Sequence, residues 1–121
     1  MGIRKFDLED RLIDFALRIS EVVEAIPNSR LGNQICSQLI RCGTSPALNC
    51  GEAQSAESPN DFIHKLKVIL KELRETRICL KIIQRKGLIK PERIEDIIEE
   101  NNQLIAIFLT SIKTAKNKAL R

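Results

Sequence analysis

The chain has 121 residues, a formal net charge of +4 and a hydrophobic fraction of 43%, which suits one domain with its own core. Five glycines and four prolines leave too few turn residues for an all-β fold, and the lack of Trp and Tyr removes the aromatic platforms that stack unpaired bases. No apolar run is long enough to span a membrane, and the N-terminus lacks the apolar core of a signal peptide. We therefore expect a soluble, cytoplasmic protein in which residues 1–121 form a single domain.

The first predicted helix covers residues 7–27. Asp7 is its candidate N-cap, and Pro27 ends it. Its apolar residues step by four and three, which places them on one helix face. They are Leu8, Leu12, Phe15, Ile19, Val22 and Ile26. Ile13 and Leu17 fall outside this stripe, so they either widen the apolar face or mark a second contact surface.

The second predicted segment, residues 29–57, begins with a helical stripe that Gly43 to Pro46 interrupts. Pro46 cannot donate a hydrogen bond to the carbonyl of Cys42, and its ring crowds that turn. The segment is therefore either one helix that is kinked near Pro46 or two helices, the second capped by Ser45. We favour the single kinked helix, because neighbouring helices would hold it together.

Residues 58–86 form the third predicted helix, which has clear start and stop signals. Ser58 is a good N-cap, Pro59 suits the first helical position, and Gly87 supplies the left-handed residue that ends a helix. Its core stripe steps by four and three. The stripe comprises Phe62, Leu66, Ile69, Leu73, Thr76, Leu80 and Ile83.

Pro91 opens the fourth predicted helix, after a short connection at residues 88–90. Its core stripe comprises Ile94, Ile97, Ile98, Leu104, Ile105, Phe108 and Ile112. Asn101 lies on that stripe, where it either makes a buried polar contact that fixes register or sits at a wet edge. Four helices with short corners predict an all-α fold, an antiparallel up-down-up-down four-helix bundle.

The basic excess is concentrated on the third helix, since residues 58–90 contain nine Lys and Arg residues against three acids. The candidate nucleic-acid-binding residues lie on the outer face of this helix. They are Lys67, Lys71, Arg74, Lys81 and Arg85. Such a patch attracts phosphates or an acidic protein, although a solvated helix face has the same composition. Val68, Ile78 and Ile82 interleave with the charges, which favours self-association, although scattered apolar side chains are also common on the surfaces of monomers.

No motif in the sequence is typical of catalysis or of metal binding. His64 is the only histidine and has no ligand at a suitable spacing, and the four cysteines form no Cys-x-x-Cys pair. Glu52 and Asn49 lie one helical turn apart. We predict that they hydrogen-bond across to Lys65 or Arg74 of the third helix, because no nucleophile accompanies them. We therefore expect no enzymatic activity, no cofactor, no metal and no small-molecule substrate.

A long family pattern is carried by residues 41–53 (RCGTSPALNCGEA), 56–66 (AESPNDFIHKL) and 70–76 (LKELRET). It resembles the bacterial 23S rRNA intervening-sequence protein family, four-helix-bundle proteins that are often labelled as a ribosomal protein family. The resemblance assigns structural roles to seven polar residues of the motif. They are Arg41, Ser45, Asn49, Glu52, Lys65, Glu72 and Glu75.

This resemblance implies a left-handed four-helix bundle that assembles into a ring-shaped homopentamer, with a poorly established biochemical role. A distant relative, the accessory protein of diversity-generating retroelements, is a basic pentamer that engages a reverse transcriptase and nucleic acid. By that analogy, RNA or a ribonucleoprotein is the first expected partner besides a second copy of the chain. The alternative is a protein–protein interaction scaffold that binds no nucleic acid.

Overall fold

The computed structural model describes residues 2–120, with side chains from residue 8 onward. It contains four α-helices joined by short connections, and no strand occurs among those residues. The helices are α1 (Gly2–Ala25), α2 (Arg30–Gln54), α3 (Pro59–Lys86) and α4 (Glu95–Ala119), with a 3-10 turn at Pro91–Arg93. The predicted all-α class and the predicted number of helices are therefore confirmed.

The first helix is longer than predicted at its N-terminal end. α1 begins at Gly2, five residues before the predicted start, and ends at Ala25. The prediction that the helix begins at Asp7 is wrong, because residues 2–6 contain no proline to stop the helix from extending. The side chain of Asp7 itself lies outside the described side chains.

The second helix runs without a break through its proline. The Ser29 hydroxyl caps α2 by accepting a hydrogen bond from the Gly32 amide at 2.9 Å. α2 then continues as one α-helix through Pro46, which is buried, to Gln54. This confirms one helix rather than two, while the kink near Pro46 stays a prediction. Packing of Pro46 against the neighbouring helices offsets the backbone hydrogen bond that proline cannot donate.

Both ends of the third helix lie where the sequence predicts them. The Ser58 hydroxyl accepts a hydrogen bond from the Asp61 amide at 3.0 Å. At the other end, Gly87 has φ of 72° and follows the last helical residue, Lys86. A residue with a side chain would be strained in this left-handed conformation, so glycine is the natural stop signal here.

The fourth helix begins later than predicted. Pro91 opens a 3-10 turn that ends at Arg93, and α4 starts at Glu95. The prediction that α4 itself opens at Pro91 is wrong, because the fixed φ of proline suits a 3-10 turn as well as an α-helix. Ile94 lies between the two elements and is fully buried, so it anchors this junction to the core.

The predicted apolar stripes of the four helices form one continuous core. Its fully buried members include Leu12, Phe15, Ile19, Leu39, Ile69, Leu73, Leu80, Ile83, Leu104 and Phe108. Burial of each such side chain contributes about 1.5–3 kcal/mol relative to leaving it exposed. Leu8, Phe62 and Ile98 lie at the margin of the stripes and are half-buried. The structure is therefore bundle-like, with α1 to α4 sharing a single hydrophobic interior.

Two close contacts join α1 to its neighbours. Gly43 of α2 faces Ile19, and a Cβ at Gly43 would lie only 2.6 Å from Ile19 Cγ2. The absent side chain of this glycine therefore makes room for Ile19. On the α4 side, Arg11 donates two hydrogen bonds to the Glu100 carboxylate, at 2.7 and 2.9 Å, and a third to Gln103 at 2.8 Å.

A buried amide joins α3 to α4. Asn101 is completely buried and donates a hydrogen bond to the carbonyl oxygen of Leu73 at 3.2 Å. Asn101 therefore makes a buried polar contact and does not sit at a wet edge, which were the two alternatives that the sequence left open. Among the described residues, nothing donates a hydrogen bond to Asn101 Oδ1.

In the part of the chain that the structure describes, none of the helices combines the length and apolar character that a membrane span requires.

Candidate nucleic-acid interface

A groove of about 620 Å³ lies between α3 and α4. Four cationic side chains, one carboxylate and four apolar side chains line it. They are Lys67, Lys71, Arg74, Lys116, Glu75, Leu70, Ile78, Leu109 and Ile112. We call this surface the basic groove. Its formal charge is strongly positive, since only Glu75 opposes the four cations.

The helical repeat explains why the cations of α3 share one side of the helix. Lys67, Lys71 and Arg74 follow each other at steps of four and three, so they are neighbours on the helix surface. Each of these cations directly follows a buried core residue, and these core residues are Leu66, Leu70 and Leu73. Burial of the apolar stripe therefore turns these three cations towards solvent, where all three are exposed.

The structure brings only some of the predicted residues together. Lys67, Lys71 and Arg74 line the groove, whereas Lys81 and Arg85 are exposed on α3 but do not line it. The fourth cation of the groove, Lys116, comes from α4 and is missing from the predicted set. Its spacing could have indicated it, because Lys116 stands four residues after Ile112 on the same helix face.

The composition of the groove limits what it can recognise. Its cations offer charged donors that suit phosphate oxygens, with a planar fork only at Arg74. None of its lining residues is aromatic, so stacking on unpaired bases has no platform there. Ile78 and Leu109 remain 53% and 45% exposed. The groove therefore offers electrostatic attraction to a polyanion together with an apolar strip that a phosphate backbone alone would leave uncovered.

Polar residues of the family pattern connect α2 with α3. Lys65 Nζ donates a hydrogen bond to Glu52 Oε1 at 3.0 Å, as predicted. This hydrogen bond, together with the charge of Glu52, raises the pKa of Lys65. Such exposed pairs contribute little to stability, so this one chiefly fixes how the two side chains are oriented.

The predicted contact of Asn49 with α3 is wrong. Asn49 Nδ2 donates instead to the carbonyl oxygen and the hydroxyl of Ser45, at 3.1 and 2.8 Å, within α2. A short amide side chain finds these acceptors one turn back on its own helix, and they satisfy it locally. The predicted alternative partner, Arg74, lines the basic groove.

Two neighbouring carboxylates lie on α3 beside α2. Burial raises the pKa of Glu72, and the charge of Glu75 raises it further, while Arg41 partly opposes both effects. Arg41 Nη1 lies 3.9 Å from Glu72 Oε1, which is an ion pair but too long for a hydrogen bond. Among the described residues, the Oε1 atoms of Glu72 and Glu75 are buried without hydrogen-bond partners. Ionisation of Glu72 is therefore poorly compensated.

The remaining chemically reactive residues form no metal or catalytic cluster in the described part of the chain. Cys42 of α2 and Cys79 of α3 are buried. A hydrogen bond with Cys42, followed by burial, raises the pKa of the Cys79 thiol, which therefore stays protonated at neutral pH. His64 is exposed on α3. No group of three or more potential metal ligands occurs among the described residues.

Comparisons with known proteins agree with the fold and leave the activity open. Residues 4–110 match the family described as 23S rRNA-intervening sequence protein. The crystal structure of a Bacteroides thetaiotaomicron protein of unknown function, from the S23 ribosomal protein family, is similar to this chain with a TM-score of 0.78 and 31% sequence identity. The similarity covers 90% of this chain and 97% of that one. A comparison with curated proteins gave no match.

Proposed function

The chain belongs to the 23S rRNA-intervening sequence protein family, and we propose that it is a non-enzymatic, oligomeric protein that binds RNA or a ribonucleoprotein. The binding surface is the basic face of α3, which includes Lys67, Lys71, Arg74, Lys81 and Arg85. The observation that carries this proposal is the basic groove, where four cations from two helices face a single carboxylate. The ribosomal name of the similar structure supports an RNA-containing partner and a cytoplasmic location.

The contacts of the four helices support a finer description of the fold. Glu9, near the start of α1, accepts a hydrogen bond from Gln54 at the end of α2, while Val23 accepts one from Cys36 at the opposite ends. These pairs fit an antiparallel arrangement of α1 and α2. We propose an up-down-up-down bundle in which residues 1–121 are one domain, and the family resemblance supports a left-handed twist and a pentameric ring.

The groove suits phosphate recognition without sequence selectivity. Lys and Arg side chains neutralise phosphates and release the counterions that surround the nucleic acid, so affinity falls as salt rises. Contacts of this kind position a nucleic acid but carry no base information. We therefore expect RNA of different sequences to bind with similar affinity, and the affinity to drop steeply between about 50 and 200 mM salt.

Fluorescence anisotropy with a labelled single-stranded RNA of mixed sequence tests this function. The triple variant Lys67→Gln, Lys71→Gln and Arg74→Gln should bind RNA more weakly than the wild type. Removal of three phosphate contacts should also flatten the slope of log affinity against log salt by about 2. The variant should keep its helical content, because all three side chains are exposed, and circular dichroism checks this.

A charge-matched control separates the groove from net charge. Arg30, Lys86 and Lys90 are exposed and do not line the groove. Their triple Gln variant loses the same number of positive charges and should keep most of the affinity. Equal binding and equal salt slopes for the two triple variants would show that RNA does not use the basic groove.

The apolar lining of the groove favours one alternative function, a scaffold that binds another protein and no nucleic acid. Ile78 and Leu109 are large, exposed and surrounded by cations, as at the centre of many protein interfaces. A stoichiometric protein partner that stays bound after nuclease treatment, together with no measurable RNA affinity at low salt, would favour the scaffold over the RNA-binding function.

A further inference from the structure

One face of α1 combines acids with large exposed apolar side chains. Its residues are spaced by one, three or four positions and therefore project from the same side of the helix. They are Asp10, Ile13, Asp14, Leu17, Glu21 and Glu24, and all six are exposed. We call this surface the acidic face. The buried residues Leu12, Phe15 and Ile19 occupy the other side of α1, so the acidic face points away from the core.

The apolar members of the acidic face lie outside the hydrophobic core. Ile13 is 43% exposed and Leu17 is 61% exposed, and they stand four residues apart. A helix with apolar side chains at this spacing and acids around them is typical of a segment that lies in a groove of a partner. The rest of this chain leaves both side chains exposed, so this surface is available to a second molecule.

The charges of the two surfaces are complementary. The basic groove presents exposed apolar side chains, Ile78 and Leu109, among its cations. The acidic face presents the same combination with the opposite sign of charge. We propose that the acidic face of one copy of the chain docks in the basic groove of a second copy. Ile13 and Leu17 then cover the exposed apolar strip of the groove.

The electrostatic part of this contact is strongest at the N-terminal half of the acidic face. Glu21 and Glu24 share a surface hollow with Arg93 of their own chain, which offsets part of their charge. Asp10 and Asp14 flank Ile13 and lie outside that hollow, away from Arg93. Lys71 and Arg74, from the middle of the groove, are their partners in the second copy.

Docking of two different surfaces has a geometric consequence. Because α1 and α3 both pack against α2 and α4, the face and the groove lie on different sides of the molecule, and a contact between them is heterologous. Every open chain of copies therefore keeps one free face and one free groove until a ring closes. A two-fold dimer could not engage both surfaces of each copy at once, because they point in different directions. The inference rests on the oligomeric part of the proposed function, and it adds a condition to the RNA-binding part. Lys71 and Arg74 serve both occupants, so RNA and a second copy exclude each other from the groove.

Charge reversal and its rescue test the contact. Asp10→Lys with Asp14→Lys makes the face basic, and Lys71→Glu with Arg74→Glu makes the groove acidic. Each double variant should elute as a single chain of 13.7 kDa by size exclusion with light scattering at low salt. The chain that carries all four substitutions has opposite charges on face and groove again, so it should recover the assembled mass of the wild type.

Two further measurements protect the test against folding defects. Glu57→Lys with Glu92→Lys changes the net charge as much as the face variant does, at exposed acids outside α1, and should assemble like the wild type. Leu17→Ser removes the most exposed apolar side chain of the face and should weaken assembly without a change of charge. Circular dichroism should show wild-type helicity for every variant.

The outcomes separate this inference from the proposed function, because assembly is measured in the absence of nucleic acid. A wild-type chain that stays monomeric at low salt, or reversed chains that assemble as the wild type does, would overturn the docking. Failure of the fourfold variant to assemble, while its helicity is normal, would also overturn it. Absence of RNA affinity in the monomeric chain with Asp10→Lys and Asp14→Lys, whose basic groove is intact and not filled by a second copy, would sink the RNA-binding function and leave the docking standing.

Discussion

Substitution of Gly43 by alanine probes how closely α1 and α2 approach each other. At an unhindered helix position, replacement of glycine by alanine stabilises a protein by about 1 kcal/mol. At Gly43 the new Cβ would lie 2.6 Å from Cγ2 and 2.9 Å from Cγ1 of Ile19, which is itself fully buried. Overpacking of this kind costs about 1–3 kcal/mol. With a contact this short we take the upper end, so Gly43→Ala should destabilise the protein by about 2 kcal/mol net.

Gly51 supplies a control in the same helix. It is exposed, and no atom lies within 4 Å of the position where its Cβ would be. Gly51→Ala should therefore show the ordinary gain of about 1 kcal/mol. The two alanine substitutions should differ by about 3 kcal/mol in the free energy of unfolding, with opposite signs relative to the wild type.

Urea unfolding followed by circular dichroism measures both variants, at one fixed protein concentration because assembly would add to the apparent stability. Ile19→Ala removes the two atoms that clash. This change alone costs about 2–5 kcal/mol, but in its background Gly43→Ala should no longer destabilise. The coupling between the two sites should reach about 2 kcal/mol. A stabilising Gly43→Ala in the wild-type background would refute the close approach of α1 and α2 at this point.

Two titration predictions concern single residues. Glu72→Gln should stabilise the protein at neutral pH. Burial and the charge of Glu75 raise the pKa of Glu72 in the folded state. The free energy of unfolding of the wild type therefore declines as pH rises above the pKa of Glu in the unfolded chain, about 4.3. The advantage of the Gln variant should vanish below about pH 4 in thermal melts, and a pH-independent difference would contradict the assignment. Asn101→Asp should be as stable as the wild type in acid, where a protonated carboxyl can donate a hydrogen bond to the Leu73 carbonyl. At neutral pH it should lose about 4 kcal/mol of stability, because full burial raises the pKa of a carboxyl group by about 3 or more units. Melting temperatures that do not fall between acid and neutral pH would show that water reaches Asn101.

The helix ends that the sequence predicts correctly are those with local signals. The hydroxyl of Ser58 and the left-handed conformation of Gly87 act within one turn of the chain, so a sequence pattern is enough to place both ends of α3. The start of α1 was misplaced because Asp7 resembles a cap, although the backbone stays helical from Gly2. The start of α4 was misplaced because proline opens a 3-10 turn as readily as an α-helix.

Contacts between helices were predictable only in part. The pairing of Lys65 with Glu52 followed from their positions on facing helices, and it is present. The partners of Asn49 were wrong, because a hydroxyl on its own helix competes with the neighbouring helix and lies nearer. The burial of Asn101 could not be decided from its stripe, since a stripe gives direction but not the depth of packing.

The basic groove illustrates the same limit. The three cations of α3 that line it, Lys67, Lys71 and Arg74, were predicted from charge and helical spacing. Lys116 was missed because its contribution depends on which face of α4 meets α3. The sequence places Lys81 and Arg85 on the same outer face of the helix, where both are exposed, but it could not show that the hollow ends before it reaches those two residues.

The separation of charge between the acidic face and the basic groove has a kinetic consequence. α1 and α3 both pack against α2 and α4, so the two surfaces lie on different sides of the molecule. The molecule is therefore an electric dipole, whose field extends roughly 8–10 Å into physiological buffer. Two copies that approach each other are turned towards the productive orientation before they touch, which accelerates encounter but hardly changes the lifetime of a formed contact. Added salt should thus slow association far more than it speeds dissociation.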